Sequence, residues 1–226
     1  MVAGRRVRLA VLAAGAATVL AGCGLTPGAA AVVGSERISQ DQVDDLTASI
    51  CSAQLAANEA QAAQTQRIPS RSLREGALGI LVENALAAQF GDAEGVEPDK
   101  QQVSEVVSQS ESNLSMLPED EREAFRTAVR DNAEGQSVLV QVGQQSLGSG
   151  AGENEAFQEG YRLMQEWSAD VDVEVDPRYG GFEDGMFRPG AGSSLSVAAS
   201  ERARAGTEQQ LAEGFVATLP ASQQCG

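Results

Sequence analysis

The sequence has 226 residues and is strongly acidic, with 32 Asp and Glu against 16 Lys and Arg and a formal net charge of −16. It contains no histidine, which excludes histidine-based catalytic triads, Cys–His pairs and HExxH zinc sites. An acidic surface repels phosphate backbones, so we expect no nucleic-acid partner. Because no nucleophile motif or metal-ligand cluster is visible either, we expect no enzyme: no catalytic residues, no metal site and no cofactor.

The first 22 residues have the three parts of a signal peptide. Arg5, Arg6 and Arg8 supply positive charge, and an apolar run over residues 9–20 follows. This run is shorter than the ~20 apolar residues that a membrane-spanning helix needs. The pattern therefore predicts a removable signal over residues 1–22 rather than a permanent membrane span.

The tetrapeptide Leu20-Ala21-Gly22-Cys23 resembles the bacterial lipobox. The resemblance implies that Cys23 takes a diacylglycerol, that the chain is cut before it, and that residues 23–30 form a lipidated tether. We therefore expect an extracytoplasmic protein, lipid-anchored to the outer face of the cell membrane. The alternative is an ordinary secretory signal followed by a chance cysteine. Loss of the three signal arginines leaves 13 basic against 32 acidic residues, a net charge of −19.

Two cysteines remain if Cys23 is lipidated, namely Cys51 and Cys225. Extracytoplasmic compartments are oxidising, so this pair predicts a disulfide. Such a bridge closes most of the chain into one loop, and the loop-entropy model gives about 5 kcal/mol for a closure of that size. The alternative is a buried free Cys51 and a loose tail thiol.

Five segments carry apolar residues at helical spacing. They cover residues 39–64, 70–90, Pro98 through Leu114, 118–147 and 153–168. Ser39 and Gln42 predict a capping box at the start of the first helix, and Pro98 suits the first turn of the third. The second helix is apolar on most sides, which places it in the middle of a bundle. Gly135 lies within the fourth segment, so a kink or a break in this helix is an open alternative to one continuous helix.

The clearest strand signal comes after the last helix, where Val171, Val173 and Val175 alternate with acidic residues. An isolated strand is not stable, and the only good partner lies at the other end of the domain, at residues 31–33. We therefore predict a mostly α fold, a bundle of about five helices tied by a small two-stranded sheet from the two ends of the domain. The domain covers residues 31–182, and a Gly/Ser-rich, partly flexible tail covers 183–226.

The order of these elements resembles the N-terminal chaperone domain of the SurA and PrsA family of extracytoplasmic folding factors. The resemblance rests on AVVGSERIS at residues 31–39 and VEVDPRYG at residues 173–180, and it covers about residues 30–182. Full members of that family carry a histidine-containing parvulin prolyl isomerase domain before the last helix. Here that position holds only residues 148–152, so the resemblance implies a non-catalytic, holdase-like domain that binds unfolded exported proteins through apolar grooves.

Methionine and aromatic side chains suit such promiscuous contacts. The candidate client-binding residues are Phe90, Met116, Leu117, Phe125, Tyr161, Met164 and Trp167. Their alternative role is plain core packing. The alternative function is an envelope adaptor or structural lipoprotein that binds one specific partner protein, and breadth of binding would separate the two.

Overall fold

The computed structural model describes residues 27–60, 67–148, 150–190, 199–205 and 213–225. The predicted signal peptide and the predicted lipidation site Cys23 lie outside the described residues, as do the first four residues of the predicted tether. The helices are α1 (Gln40–Ala60), α2 (Ser70–Glu94), α3 (Lys100–Leu114), α4 (Arg122–Leu147), α5 (Glu153–Ser168), α6 (Glu201–Ala205) and α7 (Glu213–Val216). The strands are β1 (Ala29–Val33), β2 (Glu36–Ser39), β3 (Ile68–Pro69), β4 (Val173–Val175), β5 (Gly180–Glu183), β6 (Met186–Pro189) and β7 (Gln224–Cys225). The mostly α fold with small antiparallel sheets is therefore confirmed.

The two ends of the domain meet in one antiparallel sheet, with strand order β2-β1-β4. Ala31 is paired with Val175, and Val33 with Val173, so the predicted pairing between the ends is confirmed. The sheet has three strands rather than the predicted two. The reason is a turn at Gly34, whose φ of +57° suits a residue without a side chain and folds β2 back along β1.

The first helix begins with the predicted capping box. The amide of Ser39 donates to Oε1 of Gln42 over 2.8 Å, and the amide of Gln42 donates to Oγ of Ser39 over 3.1 Å. The two side chains thus satisfy amides that a helix start leaves without partners.

The third helix begins later than predicted, at Lys100, because Asp99 is its N-cap. The Asp99 carboxylate accepts hydrogen bonds from the amides of Gln101 and Gln102 over 2.9 and 3.2 Å. Pro98 therefore lies ahead of the cap, and its predicted place in the first turn was wrong.

Helix α2 is the centre of the bundle, since it packs against α1, α4, α5 and β1. Leu78, Val82, Leu86 and Phe90 are all buried along it, which confirms the predicted central position. Gly135 does not break α4, which runs unbroken from Arg122 to Leu147. It lies against α2, where a Cβ on it would come within 2.9 Å of the Ala87 side chain.

Beyond β4 the chain forms the hairpin β5–β6, in which Phe182 faces Phe187. The predicted domain boundary at residue 182 falls inside this hairpin. The hairpin packs on the bundle, because Phe187 contacts α2 at Gly79 and Oγ of Ser168 at the end of α5 donates to the carbonyl of Gly185 over 2.9 Å.

The last described strand lies against the start of α2, where β7 pairs with β3 and Cys225 faces Ile68. Cys225 forms a disulfide with Cys51 of α1, and the two Cα atoms are 5.8 Å apart. The bridge spans 174 residues. It therefore attaches the C-terminal strand to the first helix.

Candidate functional site

An open groove of about 730 Å³ lies between α1, α2 and α4, with β2 at one end. We call it the acidic groove. Its apolar lining consists of small and aliphatic side chains: Ile38, Leu46, Leu81, Ala85, Ala88, Val96, Ala124, Ala128 and Val138. Ala88 is exposed, and Leu81 and Ala124 are half-buried. Part of this lining is therefore available for contact with another molecule.

Helical spacing places these residues on two facing walls. On α2, Asn84 and Ala85 lie three and four residues after Leu81, and Ala88 lies four and three residues after those two. On α4 the lining positions between Glu123 and Val138 are likewise related by steps of three or four residues. Each wall is thus one face of a helix, and the floor is where the two helices meet.

Eight carboxylates line the acidic groove: Glu36, Asp45, Asp92, Glu97, Asp120, Glu123, Asp131 and Glu134. None of the described lining residues is Lys or Arg. Glu123 forms an ion pair with Arg126 over 3.1 Å, whereas the other seven have no ion-pair partner in the described part of the chain. The groove therefore concentrates uncompensated negative charge over an apolar floor.

The cost of this charge is visible at Asp131, which is half-buried on α4. Burial raises the pKa of Asp131 above the ordinary value, and the neighbouring charges of Glu134 and Glu36 raise it further. Arg130 lowers the pKa in the opposite direction but does not cancel the rise. A cation placed in the groove would relieve this repulsion.

A buried amide in the groove lacks a partner. Asn84 lines the floor and is 9 % exposed, and its Nδ2 has no hydrogen-bond acceptor within the described residues. An amide donor left unpaired away from water costs about 1–3 kcal/mol. It is the kind of group that gains most from an acceptor on a bound molecule.

The seven predicted client-binding residues do not line this groove, and three of them are in the core. Phe90, Leu117 and Met164 are each 2 % exposed. Phe90 and Met164 lie on covered helix faces and Leu117 is buried in the connection between α3 and α4, so these side chains are not on a contact surface. Their alternative role, core packing, is the one observed.

The other four predicted residues are spread over separate places. Met116 is 49 % exposed and Phe125 is half-buried. Trp167 packs against Phe90 with ring centroids 5.5 Å apart, while Tyr161 donates from its hydroxyl to Glu83 over 3.3 Å. The structure therefore does not gather these side chains into one surface.

The acidic groove was missed at the level of sequence because its residues come from four helices and strands and from the connections at residues 96–98 and 120. One signal was present: on the stretch that forms α4, Glu123, Asp131 and Glu134 alternate with small residues at helical spacing. In a sequence with 32 acidic residues, that stripe did not stand out.

A second cavity, of about 900 Å³, lies beneath the C-terminal strand and is lined by the disulfide-bonded cysteines. Three arginines reach it, but each is paired with a carboxylate. Arg71 is 2.7 Å from Glu75, Arg74 is 3.0 Å from Asp44, and Arg178 is 2.6 Å from Asp176. The two charges of each pair neutralise one another, so this cavity lacks the excess of negative charge found in the acidic groove.

The described residues contain no group of three or more Cys, Asp or Glu side chains arranged to hold a metal ion. No helix in the described ranges has an apolar stretch long enough to cross a membrane. No family model matches the chain, and no match was found among curated proteins or solved structures. The proposals that follow therefore rest on the residues themselves.

Proposed function

We propose that the protein is a membrane-anchored, non-catalytic, holdase-like chaperone for exported unfolded proteins, and that the acidic groove is its polypeptide-binding site. The observation that carries the proposal is the lining of that groove, where exposed and half-buried apolar side chains lie between rows of carboxylates. Apolar contacts are not directional. A floor of this kind therefore tolerates many different client segments.

Small side chains in the groove support binding of a chain rather than of one bulky anchor. Ala88 and Ala124 protrude little from their helices, so another backbone can approach α2 and α4 closely. The rim of charge keeps the empty groove hydrated, which limits self-association through its apolar floor. Both features suit a surface that binds and releases segments of other proteins.

Lipidation at Cys23 would hold this groove at the outer face of the membrane, where exported chains emerge unfolded. The experiment that tests the function dilutes several unrelated unfolded proteins into phosphatidylcholine vesicles that carry the full chain. Light scattering measures aggregation, and protein-free vesicles serve as the blank. Suppression across unrelated clients at near-stoichiometric amounts is the expected result. Suppression of none of them would overturn the chaperone function and favour an adaptor for one folded partner.

A further inference from the structure

The acidic groove has a charge pattern that apolar binding alone does not need. We propose that it binds a cationic amphipathic segment of a partner polypeptide, in which Lys or Arg side chains flank a strip of small or aliphatic residues. This inference rests on the proposed function and names the class of segment that the groove selects.

Charge complementarity is the first argument. Carboxylates stand on both sides of the floor, with Glu36 and Asp45 on the β2 and α1 side and Asp131 and Glu134 on the α4 side. No described residue of the lining carries a positive charge. A segment with cations along both edges would meet carboxylates of β2 and α1 as well as carboxylates of α4, and such complementarity raises both specificity and the association rate.

A single small cation fits this arrangement less well than a cationic polypeptide segment does. The described carboxylates do not gather into a group that could hold one metal ion. Because they are spread over β2, α1, α2, α4 and the connecting residues 97 and 120, an occupant that pairs with them carries several cations at intervals. A polypeptide with repeated Lys or Arg has that form.

The floor supplies the second argument. Leu81, Ala88 and Ala124 leave apolar surface accessible between the carboxylates. An amphipathic helix binds by laying its apolar face into such a groove. A fully hydrophilic cation would leave this apolar surface without a partner, so the occupant has an apolar strip as well as charge.

Asn84 supplies an independent third argument. Its side chain is nine-tenths buried in the floor and its Nδ2 is unpaired. A rotation that turns this amide toward the groove would let Nδ2 donate to a carbonyl oxygen of a bound backbone. Every polypeptide carries such carbonyls, whereas a simple polyamine carries none.

The test measures binding of a labelled peptide of Lys, Leu and Ala in amphipathic order by fluorescence anisotropy. The protein is the full chain in a nonionic detergent. Two matched peptides replace every Lys with Gln or with Glu. We expect binding of the Lys peptide, binding at least about tenfold weaker for the Gln peptide, and no measurable binding of the Glu peptide.

A groove variant and a matched control locate the site. The groove variant carries Asp45→Asn, Glu97→Gln and Glu134→Gln. The control carries Asp170→Asn, Glu174→Gln and Glu183→Gln, which removes the same charge from exposed positions outside the groove. We expect the groove variant to lose affinity about tenfold and the control less than about twofold, since exposed distant charges are screened by salt.

A third variant, Asn84→Leu, separates binding from folding. We expect it to weaken binding of the Lys peptide without lowering the melting temperature, because it removes a donor that has no intramolecular hydrogen-bond partner among the described residues. An unchanged affinity would remove Asn84 from the binding site.

Equal losses in the groove variant and the control would overturn the proposal in favour of non-specific attraction to an acidic protein. Equal binding of the Lys and Gln peptides would show a groove without charge selection, and would also overturn it. Competition by spermine as strong as by the Lys peptide itself would point to a polyamine occupant instead.

The peptide test and the chaperone test can fail separately. If the Lys peptide binds in the groove but no unfolded client is kept in solution, the chaperone function is refuted while the binding site is supported. If the groove variant keeps unfolded clients in solution as well as the wild type does, the chaperone function is retained but the acidic groove is not the site that binds clients.

Discussion

Gly160 of α5 lies so close to α4 that a Cβ on it would come within 1.9 Å of the carbonyl oxygen of Leu139. The contact is reciprocal, because a Cβ on Gly143 of α4 would come within 1.8 Å of the carbonyl oxygen of Ala156. Each helix therefore meets the backbone of the other at a glycine. This close approach holds α5, which leads into β4, against the bundle.

We expect Gly160→Ala to lower the free energy of unfolding by about 3 kcal/mol or more, because the helices must move apart to admit the methyl group. Urea denaturation checks this. The control is Gly76→Ala in α2, where a Cβ would meet nothing within 4 Å. That change should raise stability by about 0.5–1 kcal/mol through helix propensity. Similar effects of the two substitutions would contradict the close contact.

Ser168 ties the end of α5 to the turn of the β5–β6 hairpin. It is fully buried, and its Oγ donates to the carbonyl of Gly185 over 2.9 Å. We expect Ser168→Ala to cost about 1–3 kcal/mol, since that carbonyl loses a partner away from water. Ser115→Ala, at an exposed hydroxyl, should stay within about 0.5 kcal/mol. Thermal melts compare the two, and a neutral Ser168→Ala would argue against hairpin docking.

The disulfide between Cys51 and Cys225 should leave no thiol for alkylation in the described part of the chain. We expect the double variant Cys51→Ser and Cys225→Ser to lose up to about 5 kcal/mol of stability, because the unfolded chain gains the entropy of a loop spanning 174 residues. Reduction of the wild type with dithiothreitol should have the same effect and should not change the variant. Two reactive thiols in the unreduced, denatured protein would refute the bridge.

The raised pKa of Asp131 predicts that this residue makes the free energy of unfolding increase as the pH falls. A salt-bridged carboxylate has the opposite effect. The pKa of Asp131 is raised in the folded protein by burial and by Glu134 and Glu36, so the folded state binds its proton more readily than the unfolded state does. The ionised carboxylate thus destabilises the fold at neutral pH, and stability rises as the pH falls through the raised pKa. Arg130 opposes the effect, and Asp45 and Asp92 line the same groove.

We therefore expect Asp131→Asn to be more stable than the wild type at pH 7. The difference should shrink toward zero as the pH falls to the ordinary Asp pKa of about 3.9. Urea denaturation at a series of pH values measures it. A variant less stable than the wild type at pH 7 would contradict the repulsion inferred at this position.

Membrane attachment is predicted to depend on Cys23. We expect the wild-type chain to sediment with membranes and its N-terminal peptide to carry a diacylglycerol by mass spectrometry, whereas Cys23→Ser should lose the modification. Cys51→Ser serves as the control and should keep it. An unmodified Cys23 in the mature protein would favour the ordinary secretory signal.

Much of the architecture could be predicted from local patterns. The Ser39–Gln42 capping box and the central position of α2 were predicted correctly, because each depends on residues a few positions apart. The strand partner of β4 was also predictable, since few segments of the chain could pair with it. The Asp99 cap was missed because several polar residues near it could cap the helix. The third strand was missed because it depends on the turn at Gly34, which folds β2 back along β1.

The candidate site depends on tertiary packing rather than on local sequence patterns. Residue type led to Phe90, Leu117 and Met164 as contact residues. Their burial depends on which helix faces the neighbouring elements cover for Phe90 and Met164, and on how the connection between α3 and α4 packs for Leu117. The acidic groove joins residues of β2, α1, α2 and α4 that are far apart in the chain. Local patterns were enough to predict most of the helices, and composition alone shows the excess of negative charge and the absence of histidine. The place where that charge is concentrated follows from helix packing, which brings the carboxylates of distant segments together over one apolar floor.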